Sequence, residues 1–266
     1  MLTLTDQTHD LYGAMHIPLV PVEDAALLML EEPNRSPIAA TDFGTPQQEK
    51  LRHLTEAGLD YYNDGKLEEA AKSYEEALEL CPDSLRALYS FGVICGHLKR
   101  YEESKGAFKR LLRLLEKRRN MVDPSLLAKA HQGMGSALLS LWVASTPQEP
   151  PLDVVSEGEL EFRRALALDP KYFQAWLGLG FALHIMQRLD EAEGAFRKAL
   201  EMAPDNQVAL ARLRGVLEDK LERRLFELGY LSRINKPIRD FTPYENRTLI
   251  KVEGKPLSEI IVEERR

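Results

Sequence analysis

One phrase occurs almost twice in this chain, and its spacing restricts the fold more than any other feature. "RRALALDP" (Arg163 to Pro170) returns as "RKALEMAP" (Arg197 to Pro204), with Pro170 and Pro204 34 residues apart. A period of that length marks an array in which each unit is a small supersecondary element that cannot bury its apolar face alone. The same pattern opens the first third of the chain. Leu51 to Ser84 lies over Phe173 to Asn206 so that Gly58 meets Gly180, Ala70 meets Ala192, Tyr74 meets Phe196, Ala77 meets Ala199 and Pro82 meets Pro204.

Each matched residue type has a physical task. Gly58, Gly92, Gly135 and Gly180 sit where the first helix of a unit (helix A) must approach the second (helix B) closely, which offsets their poor helix propensity. Ala70, Ala77, Ala192 and Ala199 let helices touch. Tyr74, Phe108, Phe162 and Phe196 fill the space between successive units. Pro82, Pro170 and Pro204 end helix B, because proline cannot continue a helix interior. A second unit runs from about Leu85, with Phe91-Gly92, Phe108 and Leu111 in register and helix B continuing through Leu111 to Asn120. A third has helix A from about Pro124 to Val143 and a helix B carrying Phe162, Ala165 and Pro170, separated by the proline-rich Ala144 to Asp153, which reads as a surface loop. Val208 to Leu228 reads as a capping helix with a polar outer face.

The joint pattern resembles the tetratricopeptide repeat, matched best by Trp176, Leu179-Gly180, Ala192, Phe196, Ala199 and Pro204. The resemblance covers about Leu51 to Leu228. It implies an all-α, right-handed α-solenoid of about four helix-turn-helix repeats with a capping helix and a concave groove lined by the A helices. The expected organisation is an N-terminal flank (1–48), the solenoid with its cap (49–229) and a C-terminal extension (230–266). In that extension Thr248 to Val252 reads as a β-strand.

Composition sets further limits. The 266 residues are 44% hydrophobic and 29% charged, the balance of a packed, soluble protein. A net charge of -7 argues against a nucleic-acid partner. No apolar run is long enough to span a membrane. Cys81 and Cys95 fall at buried-looking helical positions, which fits a reducing cytoplasm rather than a disulfide framework. No nucleotide loop, zinc-protease signature or nucleophile elbow occurs, no two histidines share a helix face at ligand spacing, and no catalytic residue, metal site or cofactor is nominated. The acid pairs Glu68-Glu69 and Glu75-Glu76 read as solvating charge on B helices.

The expected function is therefore non-enzymatic: a protein-interaction adaptor binding a peptide or partner segment in the groove. The groove register implied by the resemblance names Arg52, Thr55, Leu59 and Tyr62 in the first repeat. It names Arg86, Tyr89, Val93 and His97 in the second, Lys129, Gln132 and Leu139 (with Ser136) in the third, and Gln174, Leu177, Phe181 and His184 in the fourth. Arg52, Arg86 and Lys129 form a basic set and the apolar members run deeper, so an acidic and apolar ligand fits. The family's carboxylate clamp for chaperone tails is matched only at Lys129; the other corresponding positions hold Thr55, Leu59, Ser90 and Gly133. One candidate ligand is the chain's own His16 to Pro33, which carries Ile17, Leu19, Val20, Leu27, Leu28 and Leu30 with four acids. A homodimer is also open. The alternative function is a regulatory, antitoxin-like module whose C-terminal extension recognises a partner or dimerises.

Overall fold

The computed structural model describes residues 46–118, 122–144 and 152–230. The described residues form helices and turns throughout, in the order α1 (Pro46–Asn63), α2 (Leu67–Leu80), α3 (Leu85–His97), α4 (Tyr101–Lys117), α5 (Pro124–Ala144), α6 (Leu152–Leu168), α7 (Phe173–Ile185), α8 (Leu189–Met202) and α9 (Gln207–Glu227). Odd-numbered helices are the A helices and even-numbered ones the B helices of an α-solenoid. The second B helix stops at Lys117, inside the stretch expected to carry it to Asn120. The N-terminal segment up to residue 45, the core of the proline-rich loop and the C-terminal extension with its expected strand lie outside the described residues.

Local chemistry sets the helix ends. The Ser84 hydroxyl accepts from the Ala87 amide at 3.3 Å and opens α3, and the Asn206 side chain accepts from the Ala209 amide at 2.9 Å and opens α9. The B helices begin differently. Lys66, Arg100 and Arg188 occupy their N-cap positions without a side-chain cap, and the first turns carry Glu68 and Glu69, Glu102 and Glu103, or Asp190 and Glu191. Those acids face the positive end of the helix dipole.

The A-to-B turns are also alike. Gly65, Lys99 and Gln187 each adopt positive φ (76°, 61° and 60°) just past the end of an A helix. The next amide reaches back five residues in each case: Lys66 to Tyr61, Arg100 to Cys95 and Arg188 to Leu183. This bond satisfies a helix-end carbonyl and requires the left-handed conformation. Only Gly65 adopts it without side-chain strain. Lys99→Gly and Gln187→Gly are each expected to raise stability by about 0.5–1 kcal/mol, and Gly65→Ala to lower it by about 1 kcal/mol. Equilibrium urea denaturation checks the signs. Nothing lies within 4 Å of a Cβ built on Gly65, so its loss would report backbone strain alone.

The core lies where each helix pair meets the next. Tyr74, Phe108, Phe162 and Phe196 are all fully buried, as are Ala70, Ala77, Ala192 and Ala199. A Cβ added to Gly58, Gly92, Gly135 or Gly180 would stand 2.7, 2.9, 2.9 or 2.8 Å from the aromatic ring of its own B helix. The glycines thus admit the ring against helix A, as their spacing suggested. Two glycines passed over in the sequence do the same from the other side: Gly133 in α5 meets Phe108 of the preceding repeat, and Gly178 in α7 meets Phe162. Phe108 and Phe162 are each held between their own repeat and the next.

Charged side chains repeat this coupling at the surface. Arg100 bridges Glu75 of the preceding B helix at 2.7 Å and also pairs with Glu103. Arg188 bridges Glu159 at 2.7 Å and Glu191 at 2.7 Å. Glu75 and Glu159 therefore tie successive repeats together, where the sequence suggested only solvation for Glu75. Trp176 is half-buried rather than a core anchor, and its indole N–H donates to the Pro170 carbonyl at 2.8 Å.

Candidate groove on the A-helix face

Each A helix packs on the B helices next to it in the chain and on its A-helix neighbours: α1 touches α3, α3 touches α5, α5 touches α7 and α7 touches α9. Successive B helices approach one another less closely. A stack whose A helices are nearer together than its B helices curves toward the A side, which makes that side the concave one.

The sequence-derived groove residues divide by depth. Arg52 is exposed, and Leu59, Tyr62, Arg86, His97, Gln174 and His184 are half-buried. Thr55, Tyr89, Val93, Lys129, Gln132, Ser136, Leu139, Leu177 and Phe181 are buried. Tyr89, Val93, Leu139, Leu177 and Phe181 belong to the main apolar core, and the Tyr89 ring meets the Phe108 ring edge-on with centroids 5.9 Å apart. They form the floor of the A-helix face. The Thr55 hydroxyl donates to the Arg52 carbonyl at 2.9 Å, and the Tyr74 hydroxyl donates to the Thr55 carbonyl at 3.2 Å.

Polar partners cross between repeats along this face. The Tyr62 hydroxyl and His97 Nε2 lie 3.3 Å apart, joining α1 to α3. Gln132 Nε2 donates to the Ser136 hydroxyl at 2.9 Å, and the Tyr172 hydroxyl donates to Gln132 Oε1 at 3.5 Å, joining α5 to the start of α7. His184 Nε2 and Asp219 lie 2.7 Å apart, joining α7 to α9, and the Arg212 guanidinium stands 4.9 Å over the Phe181 ring. Such a cation over an aromatic face is attracted by the ring quadrupole. Deeper between α5 and α6, His131 Nδ1 and Glu161 lie 2.6 Å apart, both buried, and Arg164 donates to Glu161 at 2.6 Å.

Arg212 and Asp219 were missed as groove residues because α9 was read only as a capping helix. The signal was present: Ala209 lies 34 residues after Ala175, so α9 is an A helix by register and extends the same face. Burial pushes the Cys95 thiol up to about 12, so Cys95 is a core residue and not a nucleophile. Among the described residues no group of His, Cys, Asp or Glu has metal-ligand geometry, and no helix is long and apolar enough to cross a membrane.

Two family models match the chain. One described as "TPR repeat" covers residues 58–95, from the end of α1 through α2 and most of α3, and one described as "Tetratricopeptide repeat" covers residues 156–207, from α6 to the start of α9. Both stretches are tetratricopeptide repeats. Human "Protein O-mannosyl-transferase TMTC1" is 28% identical over 199 residues, covering 67% of this chain but only 22% of that protein. Among solved structures, a chain of the APC/C hetero-tetramer Cut9-Hcn1 superposes with a TM-score of 0.55 at 14% identity, over 63% of this chain and 30% of that one, a likeness of fold alone. A thermophilic TPR protein of Thermus thermophilus gives a TM-score of 0.49 at 18% identity, over 70% of this chain and all of that one. TPR arrays are protein-interaction scaffolds, and the TPR part of this chain has that architecture.

Proposed function

We propose that this TPR array is a non-enzymatic adaptor that takes an extended acidic and apolar segment of another protein along the face shared by α1, α3, α5, α7 and α9. The observation that carries the reading is a cationic side chain on each of three A helices: Arg52, exposed and 3.9 Å from Glu56, and Arg86 and Arg212, half-buried, the last standing over the Phe181 ring. Opposite charge on the ligand steers encounter, and a few apolar anchors supply affinity. The polar members of the face, His97, Gln174 and His184, would fix the ligand's register through hydrogen bonds. Mannosyl transfer is not part of the proposal: the activity in the human relative's name belongs to a protein of which this chain spans 22%. A reducing compartment such as the cytoplasm suits Cys81 and Cys95, neither of which is in a disulfide.

The chain's own His16 to Pro33 carries the matching chemistry, and we propose it as a tethered competitor for the same face. Tethering supplies an effective concentration on the order of millimolar, which an outside partner has to overcome. The test uses a synthetic peptide of residues 16–33 titrated by calorimetry into the full chain and into the chain lacking residues 1–45. Binding is expected to strengthen on deletion, to weaken with added salt and to be lost in the Arg52→Glu/Arg86→Glu variant. Equal affinity for both chains would remove the competitor, and binding untouched by the charge reversals would remove the groove.

A further inference from the structure

The outer face of α9, the last of the described helices, carries a row of exposed leucines. Leu210, Leu217, Leu221 and Leu228 are 39%, 42%, 59% and 53% exposed. At about 100° per residue they fall within about 20° of one line along α9, over about 27 Å. Two other faces of the helix meet the array. Ala209 and Val216 are fully buried toward the array, Lys220 pairs with Asp190 and Glu193 of α8, and Arg212 and Asp219 contact α7. The leucine row points away from both neighbours.

The repeat register explains its position. Leu217 lies 34 residues after Leu183, which is buried at 2% exposure, and Arg214 lies 34 after Gly180, which receives Phe196 of helix α8. The row is the face on which α7 receives its B helix. The sequence after Tyr230 has none of the Ala–aromatic–Ala spacing of the B helices and is interrupted by Pro237, Pro243 and Pro256. The face thus has the apolar character of a repeat interior.

We propose that this face is covered by α9 of a second copy of the chain, packed antiparallel about a twofold axis. The row itself argues for this occupant. Leu210, Leu213, Leu217, Leu221, Leu225 and Leu228 read the same in both directions about Asp219, with successive spacings of 3, 4, 4, 4 and 3. Leu213 and Leu225 are half-buried and flank the exposed four on opposite sides. Reversing one helix against another therefore sets Leu210 against Leu228 and Leu217 against Leu221, and the reciprocal pairs repeat them. A twofold interface needs this self-complementarity, in which residue i meets j and j meets i. Spacings of three and four keep the seam facing its partner, as in coiled-coil packing. Arg214 and Glu218 are both exposed on one flank of the row. The reversal leaves Arg214 of each helix about 9 Å along the axis from Glu218 of the other, so the two opposite charges attract at long range only.

The experiment uses the full chain at tens of micromolar in sedimentation equilibrium. The expected result is twice the chain mass for the native protein and the single mass for Leu217→Glu/Leu221→Glu, with the helical circular dichroism melt of that variant retained. Orientation is read in a Cys81→Ser background. A mixture of Leu210→Cys and Leu228→Cys chains should form an intermolecular disulfide on mild oxidation, whereas either variant alone should not. A native chain that sediments at the single mass overturns the proposal, whether the row is then covered within the chain or reserved for a different protein. Cross-linking of Leu210→Cys with itself overturns the antiparallel arrangement. If the double glutamate variant fails to fold, the cross-linking pattern decides.

Discussion

Phe162→Ala is expected to lower the stability of the array by about 3–5 kcal/mol, the range for deleting a buried phenylalanine without collapse of the cavity. Phe162 is fully buried between α5 and α7, with Gly135 on one side of its ring and Gly178 on the other. Neither glycine has a side chain that could move into the vacated space. The loss also falls where repeats three and four couple. In a repeat array stability is close to a sum of unit terms and nearest-neighbour terms, so weakening one interface uncouples the blocks on either side. Urea denaturation followed by circular dichroism should therefore show both an earlier midpoint and a broader transition in Phe162→Ala than in the native chain. An unchanged midpoint would mean that the inter-repeat core lies elsewhere. Trp176→Ala, at a half-buried position, is expected to cost clearly less.

The converse change should be nearly as severe. Gly178→Val is expected to destabilise by about 3 kcal/mol through overpacking. A single added methyl already meets the Phe162 ring closer than real contacts allow, and the ring cannot retreat because Gly135 closes the other side, where a Cβ would stand 2.9 Å away. Combining Gly178→Val with Phe162→Leu should recover part of the loss, since the smaller side chain yields the volume that valine needs. The recovery, read as a non-additive double-mutant cycle, is the signature of direct contact. Additive losses would show that the two residues do not touch. Gly133→Val against Phe108 is the same experiment one repeat earlier.

Much of this architecture can be read from the chain before folding. Gly58, Gly92, Gly135 and Gly180, with an aromatic 16 or 27 residues further on, announce close helix pairs because only a missing side chain lets a ring approach a helix backbone. Pro82, Pro170 and Pro204 announce the helix ends because proline lacks the N–H that the next turn needs. Those are local rules, and a 34-residue period repeats them until chance is excluded. Gly133 and Gly178 escaped the reading because their ring partners belong to the preceding repeat. Sequence spacing within one unit says nothing about how far the next unit is rotated onto it.

The same division runs through the candidate site. The residues of the A-helix face could be named from register alone, since register determines which side of a helix a residue takes. Depth could not be named. Whether Tyr89 and Val93 stand open to a ligand or sit beneath it depends on how tightly α1, α3 and α5 converge, and the structure buries both. The cross-repeat partners Tyr62 with His97, Gln132 with Tyr172, and His184 with Asp219 were equally out of reach, because each joins residues 35 or 40 positions apart through the stacking angle. The outer face of α9 shows the limit most plainly. Its composition of Arg, Glu, Asp and Lys reads as a soluble cap, but composition carries no direction. Sequence alone determined that this chain is a stack of helix pairs and where each pair begins and ends, because glycine, proline and aromatic side chains act within a few ångströms of their own backbone. Only the tertiary structure decided which charges the array had already paired and which leucines it left uncovered, because that depends on where the neighbouring helices lie in space.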